Sequence, residues 1–193
     1  MRVIAGAAGG IRLDVPKSGD VRPTMDRVKA AIFSSLGEEI IGANVLDLFA
    51  GTGALGIEAL SRGAASALFV EESSAAVAAV ERNLARTNLR GSVRKQEVFA
   101  FLRSAQGRDP FRIIFADPPY EKTKAGGVFT QMLLESVELA EILQPAGTFV
   151  LEKRPSEKMP ATPLWEVIRE RKYGATEVLF LQRSSVPVDV RAH

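Results

Sequence analysis

The stretch DLFAGTGALGIEAL, residues 47–60, joins an apolar strand pattern to a helical pattern through a glycine-rich loop. Gly51, Gly53 and Gly56 match the G-x-G-x-x-G spacing, in which glycine permits a tight turn and a close approach of the backbone to a ligand. Glu71 ends the next apolar run, where a carboxylate can accept hydrogen bonds from ribose hydroxyls. The order of strand, loop, helix and acidic residue therefore predicts a nucleotide-binding βαβ unit rather than a simple tight turn.

Apolar runs alternate with helical patterns on both sides of this loop. The runs that predict buried strands are 44–49, 66–71, 92–95, 112–116 and 148–152. The helical patterns are 53–63, 73–88, 98–105 and 127–143. We expect Pro145 to prevent the last helix from continuing. Alternation of this kind predicts an α/β fold with a parallel sheet and helices on both faces.

The two ends of the chain depart from the alternation. Residues 2–16 are typical of two short strands around a glycine-rich turn, and residues 22–37 of a helix capped by Thr24 and ended by Gly37. Near the other end, 165–174 and 176–183 alternate apolar and polar residues, as an antiparallel pair does. We predict one domain over 1–193, divided into an N-terminal extension 1–37, a Rossmann-like core 43–184 and a tail 185–193.

Composition is that of a globular protein, with 46% hydrophobic and 25% charged residues among 193. No apolar run reaches the length of a membrane span, and the N-terminus has no apolar segment of signal-peptide length, so we expect a cytoplasmic protein. The absence of cysteine excludes disulfides, thiolate metal sites and a cysteine nucleophile, and we expect no metal. Residues 1–30 carry six basic and three acidic side chains, a surplus of three positive charges. That surplus indicates either a polyanion-binding face or scattered solvated charges.

Two features favour S-adenosylmethionine over NAD as the ligand of the glycine-rich loop. Asp47 lies in the strand before the loop, where a negative charge can face a ligand ammonium but would repel a pyrophosphate. The only histidine is His193, so no hydride-transfer partner is evident. A ligand with an ammonium, a ribose and a sulfonium suits these residues better.

The segment FADPPY, residues 115–120, places a carboxylate, a rigid turn and an aromatic ring at a strand end. Proline has no N–H and a fixed φ, so Asp117-Pro118-Pro119-Tyr120 must leave the sheet in one stiff shape. Ligands of open α/β sheets bind beyond the carboxyl ends of the strands, so the turn should face the cofactor loop. Taken alone, the segment is also compatible with a rigid turn that carries a surface tyrosine.

The exocyclic amine of a nucleic-acid base is a substrate that this turn could hold. Asp117 Oδ and the Pro118 carbonyl can accept the two N–H bonds and direct the nitrogen lone pair at a methyl group, so that transfer is in line. Tyr120 offers a face for stacking the base, which is typically worth ~1–3 kcal/mol. The base must be flipped from its stack or lie in a loop. Methylation at C5 of cytosine is disfavoured because it normally needs a cysteine.

DLFAGTGALGIEALSRGA and FADPPY together resemble a class I, Rossmann-like, S-adenosylmethionine-dependent amino methyltransferase. RPTMDRVKAAIFSSL, residues 22–36, resembles the R-P-T-x-D-R-V-R-x-x-x-F segment of the bacterial small-subunit ribosomal RNA guanine-N2 methyltransferases of the RsmD type. The resemblance runs in order over nearly the whole chain. It implies a seven-stranded, mostly parallel sheet with an antiparallel last strand, preceded by a small N-terminal β-hairpin and helix. It also implies S-adenosylmethionine as cofactor and a guanine of 16S ribosomal RNA in the small subunit as substrate.

The resemblance also assigns roles to individual residues. The cofactor-binding positions that it implies are Asp47, Phe49, Gly51, Thr52, Gly53, Glu71, Glu97 and Val98. The catalytic turn is Asp117, Pro118, Pro119 and Tyr120. The residues expected to contact nucleic acid are Arg2, Arg12, Arg22, Thr24 and Arg27. For the last segment, a salt bridge between Asp26 and a nearby arginine is the alternative to phosphate contacts.

Two positions depart from the family pattern. The first turn is Ala7-Ala8-Gly9-Gly10 where relatives often carry basic and aromatic residues, so only Arg12 remains basic there and we expect weaker contact with RNA. Glu97 stands where Asp or Asn often contacts the adenine amine, and its longer side chain could serve the same purpose. Phe99 either flanks the adenine or belongs to the core of a short helix.

Three other functions remain open at this stage. The same D-P-P-Y turn would serve an N6-adenine or N4-cytosine methyltransferase acting on DNA or RNA. A non-catalytic RNA-binding assembly factor could use the bound cofactor only structurally. An NAD oxidoreductase would bind nicotinamide dinucleotide in the same loop.

Overall fold

The computed structural model describes residues 1–15, 23–105, 110–119, 128–157, 159–160 and 162–185, with the backbone alone for residues 23–25. Its centre is a seven-stranded sheet with the strand order β3-β2-β1-β4-β5-β7-β6. The strands are β1 (Asn44–Leu48), β2 (Ser66–Glu71), β3 (Ser92–Lys95), β4 (Phe111–Ala116), β5 (Leu143–Lys153), β6 (Trp165–Tyr173) and β7 (Thr176–Arg183). Strand β7 is antiparallel to both of its neighbours, whereas β1 to β5 pair in parallel. The predicted α/β sheet with an antiparallel last strand is confirmed.

Helices cover both faces of this sheet. They are α1 (Pro23–Leu36), α2 (Ala54–Ser61), α3 (Ser74–Thr87), α4 (Val98–Ser104), α5 (Val128–Glu135) and α6 (Val137–Glu141), and a 3₁₀ turn (Gly37–Ile40) follows α1. Alternate strand residues point to opposite faces, so each face has its own apolar cluster. One cluster joins α1, α2 and α3 to Val45, Phe69 and Phe115. The other joins α4, α5 and α6 to Leu46, Ile114 and Phe149 on the opposite face.

The first residues form a hairpin that packs on α1 and α2. The two arms share one antiparallel bridge, Arg2 to Arg12, and Val3 N donates to Ile11 O over 2.9 Å. The fully buried Glu58 of α2 accepts hydrogen bonds from Ile4 N at 2.7 Å and from Ala5 N at 3.0 Å. The same carboxylate pairs with Lys29 Nζ of α1 at 3.1 Å and with Arg62 Nε at 2.7 Å. One carboxylate thus joins the hairpin to two helices.

The helix predicted over 127–143 is wrong as a single element, because α5 ends at Glu135 and α6 begins at Val137. Ser136 separates them as an N-cap, and its Oγ accepts a hydrogen bond from Leu139 N over 3.1 Å. Pro145 does not end a helix either, since it lies within β5. The register of β4 against β5 shifts between Phe111 and Ile113, and a proline is tolerated at such an irregularity because no ladder N–H is needed there.

The first helix begins one residue before its predicted cap. Helix α1 starts at Pro23, so Thr24 lies in its first turn rather than at the N-cap. Proline favours this first helical position because its φ is already set and its missing N–H would have no helical partner. The predicted end is confirmed, since the 3₁₀ turn begins at Gly37, which has a φ of +55°. In the described part of the chain, no helix combines the length and apolarity that crossing a membrane requires.

Candidate active site

Four acidic side chains lie in a row at the carboxyl ends of neighbouring strands. Glu71 ends β2, Asp47 is near the end of β1, Asp117 follows β4 and Glu152 is near the end of β5. Asp47 is in register with Phe69 of β2 and Phe115 of β4, and Ala116 is in register with Leu151. Since strand residues alternate between faces, the four carboxylates project from the same face of the sheet. We refer to them below as the acidic row.

The glycine-rich loop after β1 has the tight geometry that its spacing predicts. Gly51 and Gly53 have φ values of +54° and +76°, in the left-handed region that favours glycine. A Cβ on Gly56 would lie 2.3 Å from the ring of Phe69, so only glycine lets α2 pack this closely on β2. Phe49 also has a positive φ, +55°, although it is not a glycine. Strain of this kind clusters at ligand-binding sites.

Carboxylates of the acidic row hold this loop in place. Glu71 Oε2 accepts a hydrogen bond from Gly51 N over 2.9 Å, and its Oε1 accepts one from Ser73 N over 2.8 Å. Asp47 Oδ2 accepts one from Gly56 N over 2.8 Å. Because Glu71 and Asp47 accept hydrogen bonds from backbone N–H groups of the loop and of α2, their carboxyl groups are held in fixed positions. A ligand bound at the loop would therefore lie next to both of them.

Burial raises the pKa of three members of the acidic row. Burial is the main reason that the pKa of Asp47 rises to about 8, the hydrogen bond from Gly56 opposes the rise, and the charges of Asp117 and Glu71 add to it. Burial raises the pKa of Asp117 to about 6. Burial, followed by the charges of Asp117 and Asp47, holds the pKa of Glu152 well above its ordinary value. Clustered acids with shifted pKa values are typical of binding and catalytic sites.

A cleft opens beside the Asp-Pro-Pro turn. Its lining residues are Pro118, Pro119, Phe129, Thr130, Glu152, Lys153 and Glu157. Thr130 Oγ1 donates to Glu157 Oε2 over 2.7 Å. Lys153 is buried and pairs with Glu177, and its Nζ also donates to the carbonyl of Glu157 over 2.8 Å. The turn thus faces a recess with both apolar and polar walls.

Glu152 was not among the site residues predicted from the sequence. A signal for it existed, because Glu152 ends the apolar run 148–152 in the same way that Glu71 ends 66–71. Without the strand order, nothing in the sequence places β5 next to β4 rather than elsewhere in the sheet. The structure shows that the two strands pair in parallel over Ile113 to Ala116, which brings Glu152 beside Asp117.

Three phenylalanine rings from the glycine-rich loop, α4 and α5 lie close together. The ring centroid of Phe49 is 6.3 Å from that of Phe99 and 5.6 Å from that of Phe129, and Phe99 stacks on Phe129 at 6.1 Å. Phe99 is buried in a core cluster together with Val98, as the core alternative for this residue predicts.

Glu97 is the N-cap of α4, where its oxygens accept hydrogen bonds from Phe99 N at 2.9 Å and Ala100 N at 2.7 Å.

Three arginines predicted to contact nucleic acid, Arg2, Arg12 and Arg27, are exposed. Arg2 lies against Asp26, with 3.6 Å between Nε and Oδ2, so Asp26 forms a salt bridge with an arginine of the hairpin, while phosphate contacts by Arg22 and Arg27 stay a prediction. Thr52, predicted to bind cofactor, accepts a hydrogen bond at its carbonyl from Asn83 Nδ2 over 3.0 Å. Arg22, Tyr120 and the side chain of Thr24 lie outside the described residues, as does the predicted tail from residue 186 onward.

Comparisons with known proteins agree with this geometry. Residues 1–182 match the family described as Conserved hypothetical protein 95. Ribosomal RNA small subunit methyltransferase D of Escherichia coli is 35% identical over 189 residues, which cover 96% of this chain and 91% of that protein. A solved structure from Escherichia coli, described as a candidate methyltransferase, superposes with a TM-score of 0.80 at 34% identity and covers 96% of this chain and 99% of its own.

A further solved structure carries both kinds of ligand that the site suggests. It is a Thermus thermophilus 16S rRNA N2 guanine methyltransferase in complex with AdoMet and guanosine, with a TM-score of 0.69 and 26% identity. The match covers 88% of this chain and 45% of that one. The prediction of a class I methyltransferase fold is confirmed by the sheet topology and by these neighbours.

Proposed function

This chain belongs to the RsmD-type family of bacterial ribosomal RNA methyltransferases, and from that membership we propose that it methylates the exocyclic N2 amine of a guanine in small-subunit 16S ribosomal RNA. The methyl donor is S-adenosylmethionine. One observation carries the proposal: the glycine-rich loop after β1 and the Asp117-Pro118-Pro119 turn after β4 lie at the carboxyl ends of paired strands. A relative solved with guanosine supports guanine as the base.

The residues of the loop fit the cofactor. S-adenosylmethionine brings an ammonium, a ribose and an electrophilic methyl group on sulfonium. Asp47 and Glu71 supply carboxyl oxygens at the loop, and Gly51 and Gly53 provide the left-handed backbone that its tight turn needs. We assign ribose contacts to Glu71, and we assign the adenine side to Glu97, Val98 and the rings of Phe49 and Phe99.

The proposed mechanism depends on positioning more than on proton removal. Asp117 Oδ and the Pro118 carbonyl accept the two N–H bonds of the amine, so that the nitrogen lone pair points toward the methyl group. Both acceptors are preorganised, because two consecutive prolines fix the turn and Pro118 is buried. As positive charge develops on nitrogen during attack, the Asp117 carboxylate stabilises it, and Tyr120 is proposed to stack on the base. The methylated nitrogen must then lose one proton, and the Asp117 carboxylate that already accepts an N–H bond is the group that takes it.

The test is methyl transfer from labelled S-adenosylmethionine to unmodified small subunits, with naked ribosomal RNA and duplex DNA in parallel. We expect N2-methylguanosine, identified by mass spectrometry, on subunits. N6-methyladenine or N4-methylcytosine, or label only in DNA, would replace this proposal with the corresponding amino methyltransferase. No turnover on any of these substrates would favour the non-catalytic assembly factor, and tight binding of NAD without S-adenosylmethionine would favour an oxidoreductase.

The catalytic turn is tested by Asp117→Ala. We expect this variant to lose at least about a hundredfold in methyl transfer, because an acceptor aimed at developing charge is removed. Calorimetry should show that it binds S-adenosylmethionine nearly as well as the wild type. A variant that binds the cofactor and methylates at the wild-type rate would contradict the mechanism.

A further inference from the structure

Glu152 has no part in the mechanism described so far, yet it lies next to Asp117. Ala116 of β4 is in register with Leu151 of β5, so the following residues, Asp117 and Glu152, are also abreast. Paired strands are about 4.8 Å apart, and the two side chains project from the same face. Glu152 also lines the cleft of Pro118 and Pro119. Glu152 is therefore within reach of a ring atom next to the amine of a base that Asp117 holds.

The carboxyl groups of Asp117 and Glu152 are neighbours on one face of the sheet. Across the described ranges, no ion pair involves Asp117 or Glu152. Lys153, the nearest basic residue in sequence, is paired with Glu177 and donates to the carbonyls of Arg154 and Glu157. Burying two like charges side by side costs free energy, so one of two neighbouring acids holds its proton more tightly. A ligand that offers several N–H donors in a row would relieve this repulsion.

Guanine is the base that offers such a row of donors. Its N2 amine carries two hydrogens and the adjacent N1 carries a third. Asp117 and the Pro118 carbonyl accept the two amine hydrogens. The amine is flanked by N1–H on one side and by the N3 lone pair on the other, and a neighbouring carboxylate favours the orientation that turns N1–H toward it. In adenine and cytosine, the ring nitrogen beside the amine has a lone pair instead of a hydrogen. A hydrogen bond from N1–H favours the ionised form of Glu152 against the burial that raises its pKa. The ionised form repels a ring-nitrogen lone pair, so it discriminates by attraction and by repulsion together.

We propose that Glu152 selects guanine by accepting a hydrogen bond from N1–H while Asp117 and Pro118 hold the N2 amine. Glu152 is thus a specificity-determining residue that contacts the substrate base. The inference rests on the proposed function, and it explains how a D-P-P-Y turn shared among amino methyltransferases is directed to guanine. It also explains why β5 carries a carboxylate one residue before its end, where burial is unfavourable.

The test compares wild type with Glu152→Gln, which keeps the shape of the side chain and an acceptor oxygen but loses the negative charge and gains an N–H donor. We expect kcat/KM on unmodified small subunits to fall about tenfold, because a charge-assisted hydrogen bond from N1–H is replaced by a weaker neutral one. Binding of S-adenosylmethionine, followed by calorimetry, should be unchanged. Glu166→Gln makes the same change on an exposed part of the edge strand β6 and should leave kcat/KM unaltered.

A second readout separates base recognition from a structural effect. Guanosine and 2-aminopurine riboside both carry the amine, but only guanosine has N1–H. Guanosine should inhibit wild-type methylation of subunits at least about tenfold more strongly, and this preference should disappear in Glu152→Gln because its amide N–H can pair with the N1 lone pair. An unchanged preference in Glu152→Gln, or no preference in wild type, would overturn the assignment. If wild type forms no N2-methylguanosine, the proposed function itself fails; if wild type forms it and Glu152→Gln behaves identically, only the role of Glu152 fails.

Discussion

At the scale of single residues, Asp117 couples the proposed chemistry to pH. Its pKa is raised to about 6 by burial. Above that pH the carboxylate accepts the amine hydrogens and stabilises charge on nitrogen, whereas the protonated form does so poorly. We expect kcat/KM for small subunits to fall about tenfold per pH unit as pH drops below about 6. Asp117→Asn should have low activity, and its kcat/KM should not fall further below pH 6. A wild-type kcat/KM that is constant from pH 5 to 8 would contradict the assignment.

Asp47 makes a different pH prediction, on stability. Burial raises its pKa in the folded state to about 8, so between its ordinary value and pH 8 the folded chain binds more protons than the unfolded chain. The contribution of Asp47 to stability is therefore fully present below its ordinary pKa and is lost as pH rises through about 8, with a slope of at most about 1.4 kcal/mol per pH unit. Asp117 and Glu152 add slope of the same sign, since their pKa values are also raised.

The variant that isolates this contribution is Asp47→Asn, whose amide oxygen can still accept the hydrogen bond from Gly56 N. Denaturant unfolding at pH 5, 6, 7 and 8 should show a shallower loss of stability with pH than in wild type. Above pH 8 the variant should be the more stable of the two, because it has no buried charge at this position. Parallel curves for the two proteins would show that Asp47 titrates normally.

At the scale of elements, the N-terminal hairpin depends on one glycine. Gly6 has a φ of +82°, and a Cβ there would lie 1.8 Å from the backbone oxygen of Ser61 in α2. Gly10 has a similar φ of +87°, but nothing lies within 4 Å of the Cβ position. Both glycines avoid backbone strain, and only Gly6 also permits the hairpin to approach α2.

The two glycines therefore form a matched pair of variants. Gly10→Ala should lose about 1–2 kcal/mol of unfolding free energy, the cost of a left-handed residue with a side chain. Gly6→Ala should lose clearly more, because the hairpin must also move away from α2 and from its hydrogen bonds to Glu58. Urea unfolding measures both losses. Equal losses would mean that the contact with Ser61 can relax at no cost.

Individual elements also show where sequence reasoning succeeds and where it cannot. The G-x-G-x-x-G loop was predictable because its glycines have local causes: positive φ at Gly51 and Gly53, and a close contact with Phe69 at Gly56. The break between the two helices at Ser136 was not predicted, because a short polar residue within an apolar helical pattern is also typical of the exposed side of a continuous helix. Only the capping hydrogen bond from Leu139 N to Ser136 Oγ distinguishes the two cases. The prediction that Pro145 ends a helix was wrong for a related reason. Pro145 lies at an irregularity of β5 that exists only because β5 pairs with β4, and the sequence does not show that pairing.

At the scale of the whole molecule, topology decides what the sequence alone could not. The acidic row combines side chains from four strands, and only the strand order places Glu152 of β5 next to Asp117. Motif spacing identified Asp47, Glu71 and Asp117 because each belongs to a recognisable local segment. Glu152 belongs to no such segment, so its position in the site is a property of the sheet.

The distribution of charge over the molecule also differs from what composition suggests. The sequence indicated a basic N-terminal segment, but Lys29 is buried and paired with Glu58, and Arg2 is paired with Asp26. Burial lowers the pKa of Lys29, so this residue supports the fold rather than the surface potential. Arg12 and Arg27 are exposed. Because Lys29 and Arg2 are paired with acidic residues, we expect Arg12 and Arg27 to supply most of the electrostatic attraction of this segment for RNA.

Arg27 therefore supports a prediction on binding to ribosomal RNA. It is exposed on α1, whereas Arg103 is exposed at the end of α4, a helix on the opposite face of the sheet. Each phosphate contact contributes about 0.7–0.9 to the slope of log K against log salt, so Arg27→Ala should lower that slope by about one unit and weaken binding at low salt. Arg103→Ala removes the same charge from the other face and should leave the slope unchanged. Titration of small-subunit ribosomal RNA at several salt concentrations measures both, and equal slopes for the two variants would show that binding follows net charge rather than this face.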